Sequence, residues 1–308
     1  MRLVALLVSL LSALNAGAGS SPSPSASSQD PKLILTSFPI LEDVVKQLAP
    51  EGLRVECLVP RNGDIHSYKP TAQDLIRLEK APLILLWGLG LDDNIRRLTL
   101  SKSFQSRTHI VTDTNSKLDT TPSSSHESVT HSEDPHLWQS PSQMIPVVLR
   151  IEDILKANFP SETKQIERNS KQFRQSLEKI GREYQSKFKK LPKSQKKLVT
   201  PHQAFDHLAS EMGLESASLL GADPEQSPSL KSLQGLIQRL KREKTQVLFR
   251  EPGPVSPWLQ NVARETGAQI RGPLFADQLT LEPPTNSYPQ VLEYNLETIW
   301  TALQEVPK

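Results

Sequence analysis

The sequence predicts an α/β protein of two lobes, each a parallel β-sheet flanked by helices, joined by one long rigid helix with a binding cleft between the lobes. Three observations predict it. The stretch from Ser161 to Leu191 reads as one uninterrupted helix, fenced by Pro160 and Pro192, neither of which could sit inside it. On both sides of it, short apolar runs alternate with amphipathic ones, the pattern of β-α-β units. Leu83 to Trp87 is apolar throughout, as a parallel strand buried on both faces should be.

The long helix carries Ile166, Phe173, Leu177, Ile180, Tyr184, Phe188 and Leu191 on a single stripe, with Lys, Arg, Glu, Gln and Ser over most of the remaining surface. At 1.5 Å per residue it would run roughly 45 Å, the width of a domain. A helix of that length with one narrow apolar stripe lies along a surface. The a/d spacing is not sustained over three heptads, which disfavours a coiled coil. The division expected is an export signal over 1–18, a flexible tether over 19–31, an N-terminal lobe over 32–159, the linking helix over 160–192 and a C-terminal lobe over 193–308.

Taken in order, Arg2 followed by apolar Leu3 to Leu14 and Ala16-Gly17-Ala18 has the form of a signal peptide, too short to span a bilayer. Ser20 to Ser28, rich in Ser and Pro, reads as tether. Leu33 to Ser37 is a strand, and a helix from Pro39 should bury Ile40, Leu41, Val44, Val45 and Leu48. Leu53 to Val59 is a second strand, followed by a turn-rich loop from Arg61 to Pro70 and a short helix with Leu75, Ile76 and Leu78. After Leu83 to Trp87, Gly88-Leu89-Gly90 turns the chain into a helix with Ile95 and Leu98, and His109 to Val111 is a fourth strand. Thr112 to Asp134, Ser/Thr-rich and without periodicity, reads as a mobile loop holding His126 and His131. A helix follows over Pro141 to Asn158, either kinked at Pro146 or starting there. Beyond the long helix come a strand at Lys197 to Thr200, a helix at Ala204 to Met212, a strand at Leu214 to Leu220 and a helix at Ser229 to Lys244. A strand at Val247 to Phe249, a helix at Pro257 to Thr266, a strand at Gln269 to Phe275 and a closing helix with Val291, Tyr294, Leu296, Ile299 and Leu303 complete the chain.

The 308 residues suffice for two cores, and 23% charged against 36% hydrophobic residues suits a globular protein. A net charge of +2 implies no polyanion partner, and nucleic acid is not expected. Aromatic residues, at 5%, are too scarce for a base-stacking platform. The single cysteine, Cys57, sits in an apolar run as a buried, inert thiol, and no lipid-anchor cysteine is evident near the cleavage site.

Three histidines and a carboxylate occupy comparable places. His66 follows a strand and turn, His136 stands in Asp134-Pro135-His136, His202 in Thr200-Pro201-His202, and Asp277 in Phe275-Ala276-Asp277. Two come from each lobe, at or near strand or loop ends, where open α/β sheets bind ligands. Three imidazoles and a carboxylate form a natural tetrahedral set for zinc. Taken alone, a loop histidine is usually just solvated, and Asp277 could equally be a helix cap.

The run Asn62-Gly63-Asp64-Ile65-His66-Ser67-Tyr68-Lys69-Pro70 resembles the first ligand motif of the zinc- and manganese-binding solute-binding proteins of metal-importing ABC transporters, most like the zinc-binding branch. Asp134-Pro135-His136-Leu137-Trp138 resembles the second, and Trp87-Gly88-Leu89-Gly90-Leu91 and Phe275-Ala276-Asp277-Gln278-Leu279 fit as well. The resemblance covers essentially the mature chain. It implies two lobes joined by a rigid helix, with His66, His136, His202 and Asp277 as metal ligands and Glu251 as a supporting partner or alternative ligand. Where the family usually continues its second motif with Leu-Asp-Pro, this chain has Gln139-Ser140-Pro141; where Asp-Pro-His is usual in the first, it has Asp64-Ile65-His66.

The function this implies is capture of a divalent transition metal, zinc first and Mn2+ or Fe2+ as alternatives, for delivery to an ABC permease with its cytoplasmic ATPase. A periplasmic monomer that breaks no bond is expected. Manganese-selective relatives tend to carry a carboxylate where this chain has His202. A zinc hydrolase would need an open coordination position and a general base, for which only Glu251 offers itself. A surface adhesin on the same fold is the third possibility. Unperturbed imidazoles would lose metal below about pH 6.

Overall fold

The computed structural model describes residues 30–113, 134–218, 220 and 229–305. The expected signal peptide, the tether up to Gln29, and His126 and His131 lie outside the described residues.

Four short apolar runs build the first sheet: β1 (Leu33–Thr36), β2 (Arg54–Cys57), β3 (Leu83–Leu86) and β4 (Thr108–Ile110). All pair in parallel, in the order β2-β1-β3-β4, with Ile34 facing Val55 on one side and Leu83 on the other. The two central strands β1 and β3 are buried at every position, which is why they lack the polar alternation of a half-exposed strand. Their connections are α1 (Pro39–Leu48), α2 (Ala72–Lys80) and the short α3 (Asp93–Arg96) and α4 (Lys102–Gln105). Helix α1 buries Ile40, Leu41, Val44, Val45 and Leu48 as its periodicity requires. Helix α2 begins with a reciprocal cap between Thr71 and Asp74 and buries Leu78, while Leu75 and Ile76 face solvent. Cys57 lies half-buried at the end of β2, and burial pushes its thiol up to about 12, leaving it protonated.

Helix α5 (Pro141–Asn158) runs through Pro146 without ending. It starts at Pro141 because Ser140 caps it, its hydroxyl accepting from Gln143 N–H at 3.3 Å, so Pro146 is an interior residue and not the first turn. A 3-10 turn over Pro160–Glu162 leads into α6 (Thr163–Lys189), the long helix, two residues shorter at each end than the prolines allow. Its stripe is buried as expected, and Ser170 fills the gap between Ile166 and Phe173 by donating to Glu152 Oε2 at 2.6 Å. Gly181 sits where α6 meets the start of α5: a Cβ there would lie 3.3 Å from Pro141 Cβ and 3.2 Å from Glu211 Oε1. The glycine is a packing contact.

The second half pairs β5 (Lys197–Thr200) with β6 (Glu215–Ser218) and β7 (Val247–Phe249) with β8 (Gln269–Arg271), again in parallel, and β5 runs beside β7. The helices are α7 (Asp206–Met212), α8 (Leu230–Arg242), α9 (Pro257–Thr266) and α10 (Tyr288–Gln304). Strand β8 stops at Arg271, short of Phe275, because Gly272 takes φ +107° and turns the chain; a Cβ there would lie 2.8 Å from Arg250 O. The segment after it crosses to the first half of the chain.

One continuous core takes in the first sheet, α5, α6, α7, α10 and Leu274 to Leu279. A smaller core of Val199, Leu240, Leu248, Leu259, Val262 and Ala268 lies on the other side of the β5/β7 layer. The fold is therefore two parallel α/β lobes bridged by α6, with α10 and the segment before it packed into the larger core. Among the described residues no helix is long and apolar enough to cross a membrane.

Candidate metal centre

His66 sits in the loop between β2 and α2. Asp64 Oδ1 accepts from its backbone N–H at 2.9 Å, and Tyr68 anchors the loop by donating to Asp74 Oδ2 at 2.8 Å. The segment Asp134-Pro135-His136 is held from below by Trp87, buried at the end of β3, whose Nε1 donates to Pro135 O at 2.8 Å. Trp87 is in turn fixed because Asp92 accepts from the N–H groups of Trp87 and Gly88. Gly88, at φ +98°, leaves room that a Cβ would take: it would lie 2.5 Å from Ile110 Cγ2. This is the physical content of the Trp87–Leu91 run.

His202 follows β5, where its carbonyl accepts from Thr200 Oγ1 at 2.9 Å and Ala204 N at 3.0 Å. Asp277 stands on the segment that crosses over after β8. The structure brings all four together: one ligand-type atom from each of His66, His136, His202 and Asp277 lies within 4.8 Å of every other. The Nε2 atoms stand 3.6, 3.4 and 3.6 Å from an Asp277 oxygen, for His66, His136 and His202 respectively. Donors around a tetrahedral ion with bonds of about 2.0–2.2 Å would stand about 3.3–3.6 Å apart, so the observed spacing leaves room for one ion. All three Nε2 atoms and Asp277 Oδ1 are buried without a hydrogen-bond partner, an arrangement that a bound cation would satisfy.

The far side of two rings is occupied. His136 Nδ1 lies 2.6 Å from Asp134 Oδ1, and His202 Nδ1 lies 2.7 Å from Glu251 Oε1. A carboxylate on Nδ1 fixes the tautomer that leaves Nε2 free to bind. Glu251 thus touches the outer edge of His202 and is not among the clustered atoms. His207, which stands in no recognisable motif, reaches the same region, its Nε2 at 3.0 Å from Asp134 O and 3.5 Å from Asp134 Oδ2.

The cluster polarises its own members. Burial pushes the Asp277 carboxyl up, but the His66 contact and the charges of His136 and His202 outweigh it and hold it down at about 2. Burial works against charge on His202 as well, yet the Glu251 contact and the Asp277 charge raise it to about 9. His66 is raised by Asp277 and Asp64 against its own burial. Asp134 is lowered, despite burial, by its contacts with His136 and the nearby His207.

Asp277 comes from the second half in sequence but is anchored to the first. Trp138 Nε1 donates to Ala276 O at 2.7 Å, Tyr288 OH donates to Trp138 O at 2.7 Å, and Asp43 Oδ2 accepts from Tyr288 N at 2.8 Å. Arg61 donates to Thr280 O at 3.3 Å and Asn286 O at 2.7 Å. These cross-lobe anchors have no local sequence signature.

The bridged lobes and the buried three-nitrogen, one-oxygen cluster define a two-lobed binding protein with a site suited to a transition metal. The chain belongs to the ZnuA family, described as zinc-uptake complex component A, periplasmic, which it matches over residues 34–302. It is thus a metal-binding, substrate-binding protein of the ABC-importer type. It is 27% identical over 271 residues to the iron-binding protein YfeA of Yersinia pestis, covering 86% of this chain and 84% of that one. The periplasmic zinc binding protein TroA of Treponema pallidum superposes with a TM-score of 0.77 at 26% identity, over 88% of this chain and 99% of that one. A manganese-bound periplasmic metal binding protein from Candidatus Liberibacter asiaticus superposes with a TM-score of 0.76 at 26% identity, with the same coverage.

Proposed function

We propose that this protein captures one divalent metal ion, zinc in preference to manganese or iron, on His66, His136, His202 and Asp277, and delivers it to a membrane permease served by a cytoplasmic ATPase. What supports the ligand set is the cluster itself: four donor atoms from four separate segments, three of them imidazole nitrogens buried without a protein partner. The relatives' names span iron, zinc and manganese, so the preference rests on the donors. Three imidazoles suit borderline-soft zinc, whereas manganese favours oxygen-rich sites. Glu251 and Asp134 act as orienting partners of His202 and His136. The chain works as an exported periplasmic monomer, with 1–18 as signal, 19–31 as tether, lobes over 32–159 and 193–308, and 160–192 as the link between them. His126 and His131 add weaker binding outside the tight site.

Calorimetric titration with zinc tests this on the full chain and on a form lacking Ser123 to Ser132. Both should take up one ion tightly, and only the full chain should show additional weak binding. Loss of the tight site on deletion would show that the assignment of His66, His136 and His202 is wrong.

A further inference from the structure

Gln139 is a polar residue that is 1% exposed. It ends the turn that begins at His136, its backbone N–H donating to His136 O at 3.1 Å. Its side-chain Nε2 donates to Phe275 O at 3.1 Å and to Ala276 O at 2.7 Å, the two carbonyls that precede Asp277. Its Oε1 accepts from Asn295 Nδ2 at 3.3 Å. Asn295, fully buried on α10, holds the same peptide from the other side: Phe275 N donates to its Oδ1 at 2.9 Å, and its Nδ2 donates to Phe275 O at 2.8 Å. Arg61, in the loop of His66, is bonded to Thr280 O and Asn286 O just beyond Asp277. The hydrogen bonds described for His202 run instead to Thr200, Ala204 and Glu251, all in the second half.

We propose that Gln139 is a positioning residue for the metal. It couples the Asp277 peptide to the His136 turn, so that these two and His66 stand preassembled as a three-donor half-site, and the ion is exchanged by parting from His202. The proposal rests on the four residues being the ligands. A buried, fully satisfied amide network fixes one geometry more tightly than an apolar contact of the same volume, because each misaligned bond leaves a desolvated polar atom. Without the amide, Asp277 keeps its place in the sequence but loses its fixed distance to His136.

The test uses the full chain with Gln139→Met, which keeps side-chain length and removes the amide. Ala276 O retains Trp138 and Phe275 O retains Asn295, so no carbonyl of the peptide is stranded. Zinc release into excess chelator should quicken about five- to tenfold, the effect of losing about one hydrogen bond, with association unchanged. The visible spectrum of the cobalt(II)-loaded protein should shift as the carboxylate loosens. In an Asp277→Ala background the same substitution should add nothing to the release rate. No change in the wild-type background, or an equal change in both, overturns the proposal. Asp277→Ala that binds zinc as tightly as wild type overturns the ligand assignment itself. Hydrogen exchange on the unmutated protein supplies a check independent of the variants. The Leu274 and Phe275 amides, bonded to Arg250 O and Asn295 Oδ1, should be equally protected with and without zinc. Fast exchange there in the metal-free protein alone would show that the half-site is not preassembled.

Discussion

Metal capture at this site should expel a proton from His202 at neutral pH, and Glu251→Gln should abolish most of that effect. Burial would ordinarily strip charge from this ring, but Glu251 at 2.7 Å from Nδ1 and Asp277 at 3.6 Å from Nε2 hold the proton up to about 9. A metal needs the Nε2 lone pair, so the proton must leave. At pH 7.5 the ring is about 1.5 pH units below its titration point, which costs about 2 kcal/mol and weakens apparent affinity about 30-fold. Apparent zinc affinity should therefore rise about tenfold per pH unit up to about pH 9 and then level, well above the window near pH 6 that unperturbed imidazoles would give. The linked effect on folding has a definite sign. His202 has its pKa raised above the ordinary 6.5, so it stabilises the metal-free fold fully below about 6.5, and that contribution is lost as pH rises through about 9. Asp277, held down at about 2 against an ordinary 3.8, contributes above 3.8 and loses its contribution as pH falls through about 2. Calorimetry at pH 7.5 in buffers of different ionisation enthalpy counts the protons, and chelator competition from pH 6.5 to 9.5 gives the slope. Glu251→Gln keeps a polar partner at Nδ1 and removes its charge, so its slope should break at lower pH. Zero proton release at pH 7.5, with affinity flat between pH 7 and 9, would refute the reasoning.

Two further outcomes follow from the same geometry. His202→Glu places a third carboxylate beside Asp277 and Glu251; it should weaken zinc about tenfold or more and narrow its margin over manganese in competition titrations, and unchanged affinity and selectivity would remove His202 from the site. Helix α6 has no interior proline, and its one glycine, Gly181, is packed against Pro141 and Glu211, so solution scattering should show little change in radius of gyration on metal loading; a change of several ångströms would count against a stiff link.

The elements were legible where the signal was local. Periodicity and prolines delimit α1, α6 and α9 in the sequence to within two residues, because a helix writes its buried face into spacing and cannot pass the ring of a badly placed proline. Pro146 escaped that logic: the capping Ser140 five residues earlier starts the helix and carries the chain through it. The four candidate ligands were legible as types and motif positions, and their meeting in one cleft was expected from the two-lobe reading, but the contacts that enforce it were not. His66 and Asp277 lie on segments joined through Arg61 to Asn286, and Gln139 reaches Phe275, contacts that skip most of the chain and leave no period behind. The orienting partner of His202 shows the same limit, since Glu251 meets it only because β5 and β7 run side by side.

The Gln139-Ser140-Pro141 run after Trp138 opens α5 at a contact between the two lobes. The residue at the N-terminal end of α5 is the uncharged Ser140. A carboxylate reaches it from α7: Glu211 Oε2 accepts from Ser140 Oγ, from Ser142 N at 3.1 Å and from Ser142 Oγ at 2.9 Å. A carboxylate at a helix N-terminus interacts favourably with its unpaired N–H groups and its dipole, whichever segment supplies it. Gln185 of α6 donates to the other oxygen, Glu211 Oε1, at 3.2 Å. Helices α5, α6 and α7 therefore meet on one side chain next to the glycine that lets them approach. The carboxylate at this helix end thus comes from a helix of the other lobe, and it ties that lobe to the turn following His136.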